Sequence, residues 1–352
     1  MKRLALGALL PLCLLLAGGC SYAAIERQTF PICIGVDITD GGQYEFSIQA
    51  PKGDSTDGST TYELMSATGD TLEDAMRILA ASTPYPLNFC QVRQCMIGYS
   101  TAATTQLRTL LRALFELPTM RSSAMVTIAL GTALDTLKAQ KPEFGMRLST
   151  HLDMLFKRLW EQNLLPDSSL AACVRLLGSG RRDPLLFVCA VNPLLEAEKT
   201  DESAVGQEAE AFAVGEPWSD DLLPEDLLAG MLPRSSESPV EYLGSAAVSD
   251  GRVSGVLTAR ETQAVLRARA QARLRVAIDG EQVQLQILLD ESSELYGQQA
   301  ELMAAVEKLQ RLDCDTLGFT AIAATHFGTD AQFEAFAFRR RYSQAPVVIA
   351  PR

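Results

Sequence analysis

Cys20 follows Leu16-Ala17-Gly18-Gly19, at the end of an apolar run from Leu4 to Ala17 that opens on Lys2-Arg3. A basic start, a short apolar run and small residues before a cysteine fit an export signal over residues 1–19. The thiol of Cys20 would then accept a diacylglyceryl group, so Cys20 is the candidate lipidation site. The run is shorter than the ~20 apolar residues that span a bilayer, and no later stretch is long and apolar enough. Two acyl chains, at ~0.8 kcal/mol per buried methylene, would hold the mature chain to a membrane.

The other reactive side chains are sparse. The sequence has eight cysteines: Cys13 leaves with the signal, Cys20 takes lipid, and Cys33, Cys90, Cys95, Cys173, Cys189 and Cys314 remain. In an exported protein these could pair. The stronger reading makes Cys33, Cys95 and Cys189 small hydrophobes in apolar, strand-like runs. Cys90 and Cys95 lack the second pair a zinc knuckle needs. The two histidines, His151 and His326, are too far apart in sequence to suggest a metal cluster. Leu177-Gly178-Ser179-Gly180-Arg181-Arg182 could cradle an anion through backbone amides and arginines, although a tight surface turn explains it as well. Asp313 and Asp315 flank Cys314 and would share one face if extended, but no nucleophile or metal partner stands near them in sequence. Nucleophile elbows, P-loops and dinucleotide fingerprints are absent. The sequence therefore implies no enzyme activity, no metal site and no cofactor.

The elements that must position these residues read as α+β. The 352 residues are 47% hydrophobic and carry a formal net charge of −12, which disfavours nucleic acid as a partner. Strands are expected at Phe30–Asp37 and Tyr44–Ala50 around an Asp40-Gly41-Gly42 turn, and at Asn88–Gly98, Ala124–Leu130 and Leu185–Val191. Helices are expected from Asp70, with Asp70 as cap and Glu73 completing a capping box, and at Thr104–Leu117, Ser149–Asn163 and Ser168–Leu177. In the second of these Leu107, Leu110, Leu111, Leu114 and Phe115 face inward. Residues 194–238 hold 12 acidic and two basic residues with repeated prolines, and read as an acidic linker. It divides an N-terminal domain or domains at 20–193 from a C-terminal domain at 239–352. The latter opens with strands Tyr242–Val248 and Val253–Leu257 and a helix at Arg260–Arg269. A hairpin of Ala272–Ile278 and Val283–Leu289 follows, then a long helix at Glu291–Leu312. Extended segments are expected at Phe333–Phe338 and Pro346–Ala350. This irregular order favours multi-domain mixed sheets and helices over a doubly wound sheet.

Four places resemble the Ger(x)C family, the lipoprotein subunits of nutrient germinant receptors in spore-forming bacteria. The first is the lipobox ending at Cys20, with Ile25-Glu26-Arg27 and Ile34-Gly35-Val36-Asp37 after it. The second is Asp70-Thr71-Leu72-Glu73-Asp74-Ala75, leading to Asn88-Phe89. The third and most specific is Gly244-Ser245-Ala246-Ala247-Val248, then Gly251-Arg252-Val253-Ser254-Gly255-Val256-Leu257 and Glu261-Thr262. The fourth is Leu309-Gln310 with Asp313-Cys314-Asp315-Thr316-Leu317-Gly318-Phe319. Two places depart from the family pattern: Ala17 stands where a Leu is usual, and Ser21-Tyr22-Ala23-Ala24 replaces the usual Trp-Asp-Arg-Arg-Glu. The resemblance implies a multi-domain α+β fold without an enzymatic site, held by lipid on Cys20 at the outer face of the spore's inner membrane. It implies work with two integral membrane partners, the A and B receptor subunits. A solute-binding lipoprotein of a membrane transporter is the alternative, and would show two similar α/β lobes. A lipid-anchored hydrolase is a third reading, disfavoured by the missing motifs.

Overall fold

The structure is a computed structural model that describes residues 25–52, 62–142, 145–192 and 238–352. Its elements form one eight-stranded mixed sheet and one three-stranded sheet, each covered by helices. The first hairpin is β1 (Cys33–Ile38) and β2 (Tyr44–Pro51), closed by the expected Gly42 turn at φ 77°. The edge strand β3 (Tyr62–Gly69) was not expected. Helix α1 (Leu72–Ser82) then crosses to β4 (Gln94–Gly98), which lies parallel to β1 on its other side.

The cap of α1 differs from expectation. Thr71, not Asp70, caps it by accepting the Asp74 amide at 3.1 Å, while Asp70 accepts from Gln43 Nε2 at 3.0 Å. The expected helix at Thr104–Leu117 is two helices, α2 (Tyr99–Thr104) and α3 (Leu107–Phe115). Leu107, Leu110, Leu111 and Leu114 are buried, but Phe115, expected inward, is 39% exposed in the last turn. Strand β5 (Met125–Ala129) follows, then α4 (Ala133–Ala139), α5 (Leu148–Glu161) and α6 (Leu170–Ser179) before β6 (Leu185–Val191). Strands β1, β4, β5 and β6 are parallel neighbours. Near-continuous apolar sequence in β4 to β6 reflects burial on both faces.

Strands β7 (Val240–Ser249) and β8 (Arg252–Leu257) extend this same sheet, giving the order β3-β2-β1-β4-β5-β6-β7-β8. The expected division at 239 therefore falls inside a sheet. Val191 pairs antiparallel with Val240, and the Asn192 amide donates to Pro239 O at 3.0 Å. The acidic stretch is an insertion in the β6–β7 hairpin, with its residues 194–237 outside the described part; it does not join separate sheets. Helix α7 (Ala259–Gln271), the hairpin β9 (Arg273–Asp279) and β10 (Gln282–Leu289), and α8 (Gln299–Arg311) follow. The long helix expected at Glu291–Leu312 is interrupted: Ser293 caps a 3-10 turn at Glu294–Gln298 before α8 begins. Phe333–Phe338, expected extended, is helical, within α10 (Asp330–Phe336) and α11 (Phe338–Tyr342) after the short α9 (Phe319–Ala324). Ala337 between them adopts φ 52°, which turns the chain and brings Phe327, Phe333, Phe336 and Phe338 into one aromatic cluster. Strand β11 (Val347–Pro351) completes the small sheet β11-β10-β9.

Alternation sorts the residues of the large sheet to its two faces, which line three cores. Ile34, Val36, Phe46, Ile48, Cys95, Ile97, Val126, Ile128 and Val188 meet α1, α2, α3 and α6 on one face. On the other, Cys33, Met96 and Phe187 meet α4 and α5. Leu185, Ala247 and Leu257 on this second face join Val265, Leu302, Val306, Phe319 and Tyr342 in the C-terminal core. Each such large side chain contributes roughly 1.5–3 kcal/mol by leaving water.

Candidate functional site

The proposed attachment residue, Cys20, lies outside the described residues. Description begins at Ile25, in the one-turn 3-10 helix Ile25–Arg27. Two residues on, Thr29 is pinned: its amide donates to Pro86 O at 2.9 Å and Asn88 N donates to Thr29 O at 2.8 Å. The chain thus enters at the N-terminal ends of the parallel strands. The acidic insertion leaves and returns at their C-terminal ends, where Asn192 Nδ2 donates to Ser238 O at 3.0 Å.

The sheet reverses its winding between β1 and β4, the kind of switch point where open α/β sheets place ligands. Asp37 occupies it, 4% exposed. Its carboxylate accepts the Ala133 amide at 2.8 Å and the Leu134 amide at 2.9 Å, at the start of α4. Gly98 leaves room for it, since a Cβ there would stand 2.1 Å from Asp37 Oδ1. Burial outweighs these two hydrogen bonds and pushes the carboxyl from 3.8 up to about 6, with Glu45 and Asp135 adding repulsion. Asp37 thus acts as a clamp between β1 and α4. Beside it on the α4 face runs a buried polar layer. Gln94 Nε2 donates to Thr127 Oγ1 at 2.9 Å and Tyr242 OH donates to Gln94 Oε1 at 3.0 Å. Gln49 Nε2 donates to Gln140 O at 3.1 Å. These bonds tie β2, β4, β5 and β7 to the end of α4.

The third resemblance motif is a packing device. Gly244 adopts φ 55°, and a Cβ there would stand 2.1 Å from Leu257 O, so β7 and β8 approach only with glycine. Ser245 Oγ and Thr262 Oγ1 are hydrogen-bonded at 2.8 Å in the core. Thr258 and Glu261 form a full capping box for α7, and Lys308 Nζ lies 2.8 Å from Glu261, tying α8 to it.

The fourth motif fastens the C-terminal core to the large sheet. Asp315 is buried, and accepts the Gly318 and Phe319 amides at 2.8 and 2.9 Å, which caps α9. Its own amide donates to Asp183 Oδ2 at 2.7 Å, and Arg339 Nη1 pairs with Asp183 at 2.7 Å. Burial raises the Asp183 carboxyl, and the Arg339 charge opposes that rise. Asp313, at φ 49°, is half-exposed, with Oδ2 accepting from Ser249 Oγ at 3.4 Å and 3.9 Å from Arg339 Nη2. The segment is a turn and not the extended strand on which the shared face of Asp313 and Asp315 depended.

The other expected chemistry is dispersed. His151 lies half-buried on α5 and His326 is exposed after α9. Among the described residues no group of three or more His, Cys, Asp or Glu is placed to hold a metal. Cys33, Cys95, Cys173, Cys189 and Cys314 are buried free thiols whose pKa values burial raises, and Cys90 is an exposed free thiol. The Gly178–Arg182 amide cradle does not form. Gly180, at φ 61°, is the C-cap of α6; its amide donates to Leu176 O, and Arg181 N donates to Ser179 Oγ. Asp183, Arg269 and Arg339 had no local sequence signal, since tertiary contacts alone bring out their surroundings, while Asp37 stood in a family motif that did not disclose its contact with α4. No described helix is long and apolar enough to cross a membrane.

Fold and geometry define a mixed α/β protein of two fused sheets whose polar residues clamp and fasten. Residues 21–191 match the family described as "Spore germination protein N-terminal domain", and this chain carries that domain. A solved structure, "Crystal Structure of the GerBC protein", aligns with TM-score 0.45 and 9% identity, over 90% of this chain and 95% of that one. Among curated proteins, none matches this chain.

Proposed function

We propose that this chain is the lipid-anchored C subunit of a spore nutrient germinant receptor, an interaction subunit needed for germination signalling. The observation that carries the reading is one of position: the spore germination domain begins at residue 21, directly after Leu16-Ala17-Gly18-Gly19-Cys20. Diacylglyceryl on Cys20 would hold the two fused sheets at the outer face of the spore's inner membrane, within reach of the integral A and B subunits. The polar clusters are taken up in holding elements together, which suits a rigid interaction body. The solute-binding alternative called for two similar lobes, and the eight-stranded and three-stranded sheets are unlike each other. Deleting the gene should abolish the nutrient response of spores while leaving germination by a receptor-independent trigger intact. Normal nutrient germination in the deletion strain, with no paralogue present, would refute the assignment.

A further inference from the structure

Ile25 is 67% exposed, and Tyr85 is 46% exposed between two further exposed apolar residues, Pro84 and Pro86. Backbone bonds bring these two places together. The Thr29 amide donates to Pro86 O at 2.9 Å, the Asn88 amide donates to Thr29 O at 2.8 Å, and Asn88 Nδ2 donates to Gln28 Oε1 at 2.5 Å. Thr29 and Leu87 form a parallel bridge, so the turn Ile25–Arg27 and the loop 84–86 lead into it from the same side. The end of α3 joins them. The Phe89 amide donates to Thr119 Oγ1 at 2.9 Å, four residues after the exposed Phe115.

The charges beside these side chains balance. Glu26 and Arg27 are adjacent and both exposed, and Glu116 pairs with Arg112 at 2.8 Å. Grouped apolar side chains of this kind mark a contact surface, and tyrosine favours the boundary between hydrocarbon and headgroups. Two lengths point to a bilayer as the occupant. Cys20 lies five residues before Ile25, so a lipid-linked Cys20 holds Ile25 within about 18 Å of the surface, whatever path the intervening residues take. The acidic insertion is rooted at Val191 and Val240, at the opposite ends of the parallel strands. The seven residues of β6 separate the two ends by about 20 Å, more than two Debye lengths at physiological salt. Residues 194–238 carry −10 of the formal net charge of −12, so most of the negative charge is rooted away from an anionic membrane.

We propose that Ile25 and Tyr85, with Phe115 at the margin, rest on the lipid bilayer and turn the N-terminal ends of the parallel strands toward it. This deepens the anchoring reading and rests on it: lipid on Cys20 supplies the attachment, and the apolar side chains fix which end of the protein meets the surface. One acyl anchor on a short tether would leave the body free to tumble, whereas a second, apolar contact gives it one orientation.

Cys90 provides the probe, because it is the one exposed thiol among the described residues and stands two residues after Asn88. The full-length lipidated protein is labelled there with a fluorophore and reconstituted in vesicles of phosphatidylcholine and phosphatidylglycerol. Phospholipid carrying a nitroxide high on its acyl chain should quench the wild-type label. I25S/Y85S should weaken that quenching by about threefold or more, and V348S, on the small sheet, should leave it unchanged. Ile25, Tyr85 and Val348 are exposed, so these variants should keep the wild-type unfolding midpoint; I25S and Y85S singly carry the same comparison if the double variant does not. Flotation with the vesicles is read in parallel and reports the lipid on Cys20. Protein that floats with its label unquenched, or quenched equally in I25S/Y85S, overturns the docking end and leaves the anchoring reading standing. Protein that does not float overturns both.

Discussion

Replacing Asp37 by Asn should flatten the pH dependence of stability. The carboxyl is buried against α4 and its pKa rises from 3.8 to about 6, a change of about two units. At ~1.36 kcal/mol per unit, the folded state holds this proton more tightly than the unfolded chain by ~3 kcal/mol. The sign is the reverse of a salt-bridged carboxylate. Below pH 3.8 both states are protonated and the group is neutral in the balance. Between 3.8 and about 6 the unfolded chain has lost the proton while the folded one keeps it, so stability falls as pH rises through this window. The amide of D37N cannot titrate, and whatever constant offset it brings from the changed hydrogen bonds to Ala133 and Leu134 cancels in the slope. Urea unfolding followed by far-ultraviolet circular dichroism, at half-unit steps from pH 3.5 to 7.5, gives the difference curve. Wild type minus D37N should fall by ~3 kcal/mol from the acid to the neutral end. Parallel curves would show that burial does not hold this carboxyl in its protonated form, and would refute the burial-driven rise.

Two further substitutions probe the fold. Gly244→Ala, forced to φ 55° with its methyl driven toward Leu257 O, should destabilise by more than about 2 kcal/mol in the same urea assay, whereas Gly280→Ala, also at positive φ but with open space around it, should cost only about 1 kcal/mol. Replacing residues 194–237 with Asn-Gly should leave one cooperative unfolding transition, because Val191 and Val240 already pair across the hairpin; two separated transitions would restore the linker reading.

Strict alternation made the β9–β10 hairpin legible, since Val276, Val283, Leu285, Ile287 and Leu289 all face one core. Strand β3 escaped because Tyr62-Glu63-Leu64-Met65-Ser66-Ala67-Thr68 lies on an edge, half-exposed on both faces, and shows no clean period. The aromatic run at Phe333–Phe338 has strand-like composition, yet α10 and α11 form because Ala337 takes a left-handed turn between them. The membership of β7 and β8 in the large sheet was hidden by the long acidic stretch, which separates two hairpin partners in sequence and makes them look like separate domains. The family motifs were visible as words, but their work was not. Gly244 permits a close strand approach and Asp315 caps a helix, and both need the third dimension. Cys20 alone among the candidate site residues has a purely local signal, because the proposed processing would depend only on the residues just before it.

Lipid on Cys20 is the claim on which the account rests. Wild type and C20A, expressed in a bacterium fed labelled glycerol or palmitate, can be compared by gel and by intact mass of the membrane fraction. The account predicts a labelled mature chain that begins at Cys20 and carries a diacylglyceryl thioether, and no label in C20A. Label retained in C20A, or a wild-type mature chain that is free in the aqueous extract or begins at another residue, would contradict it.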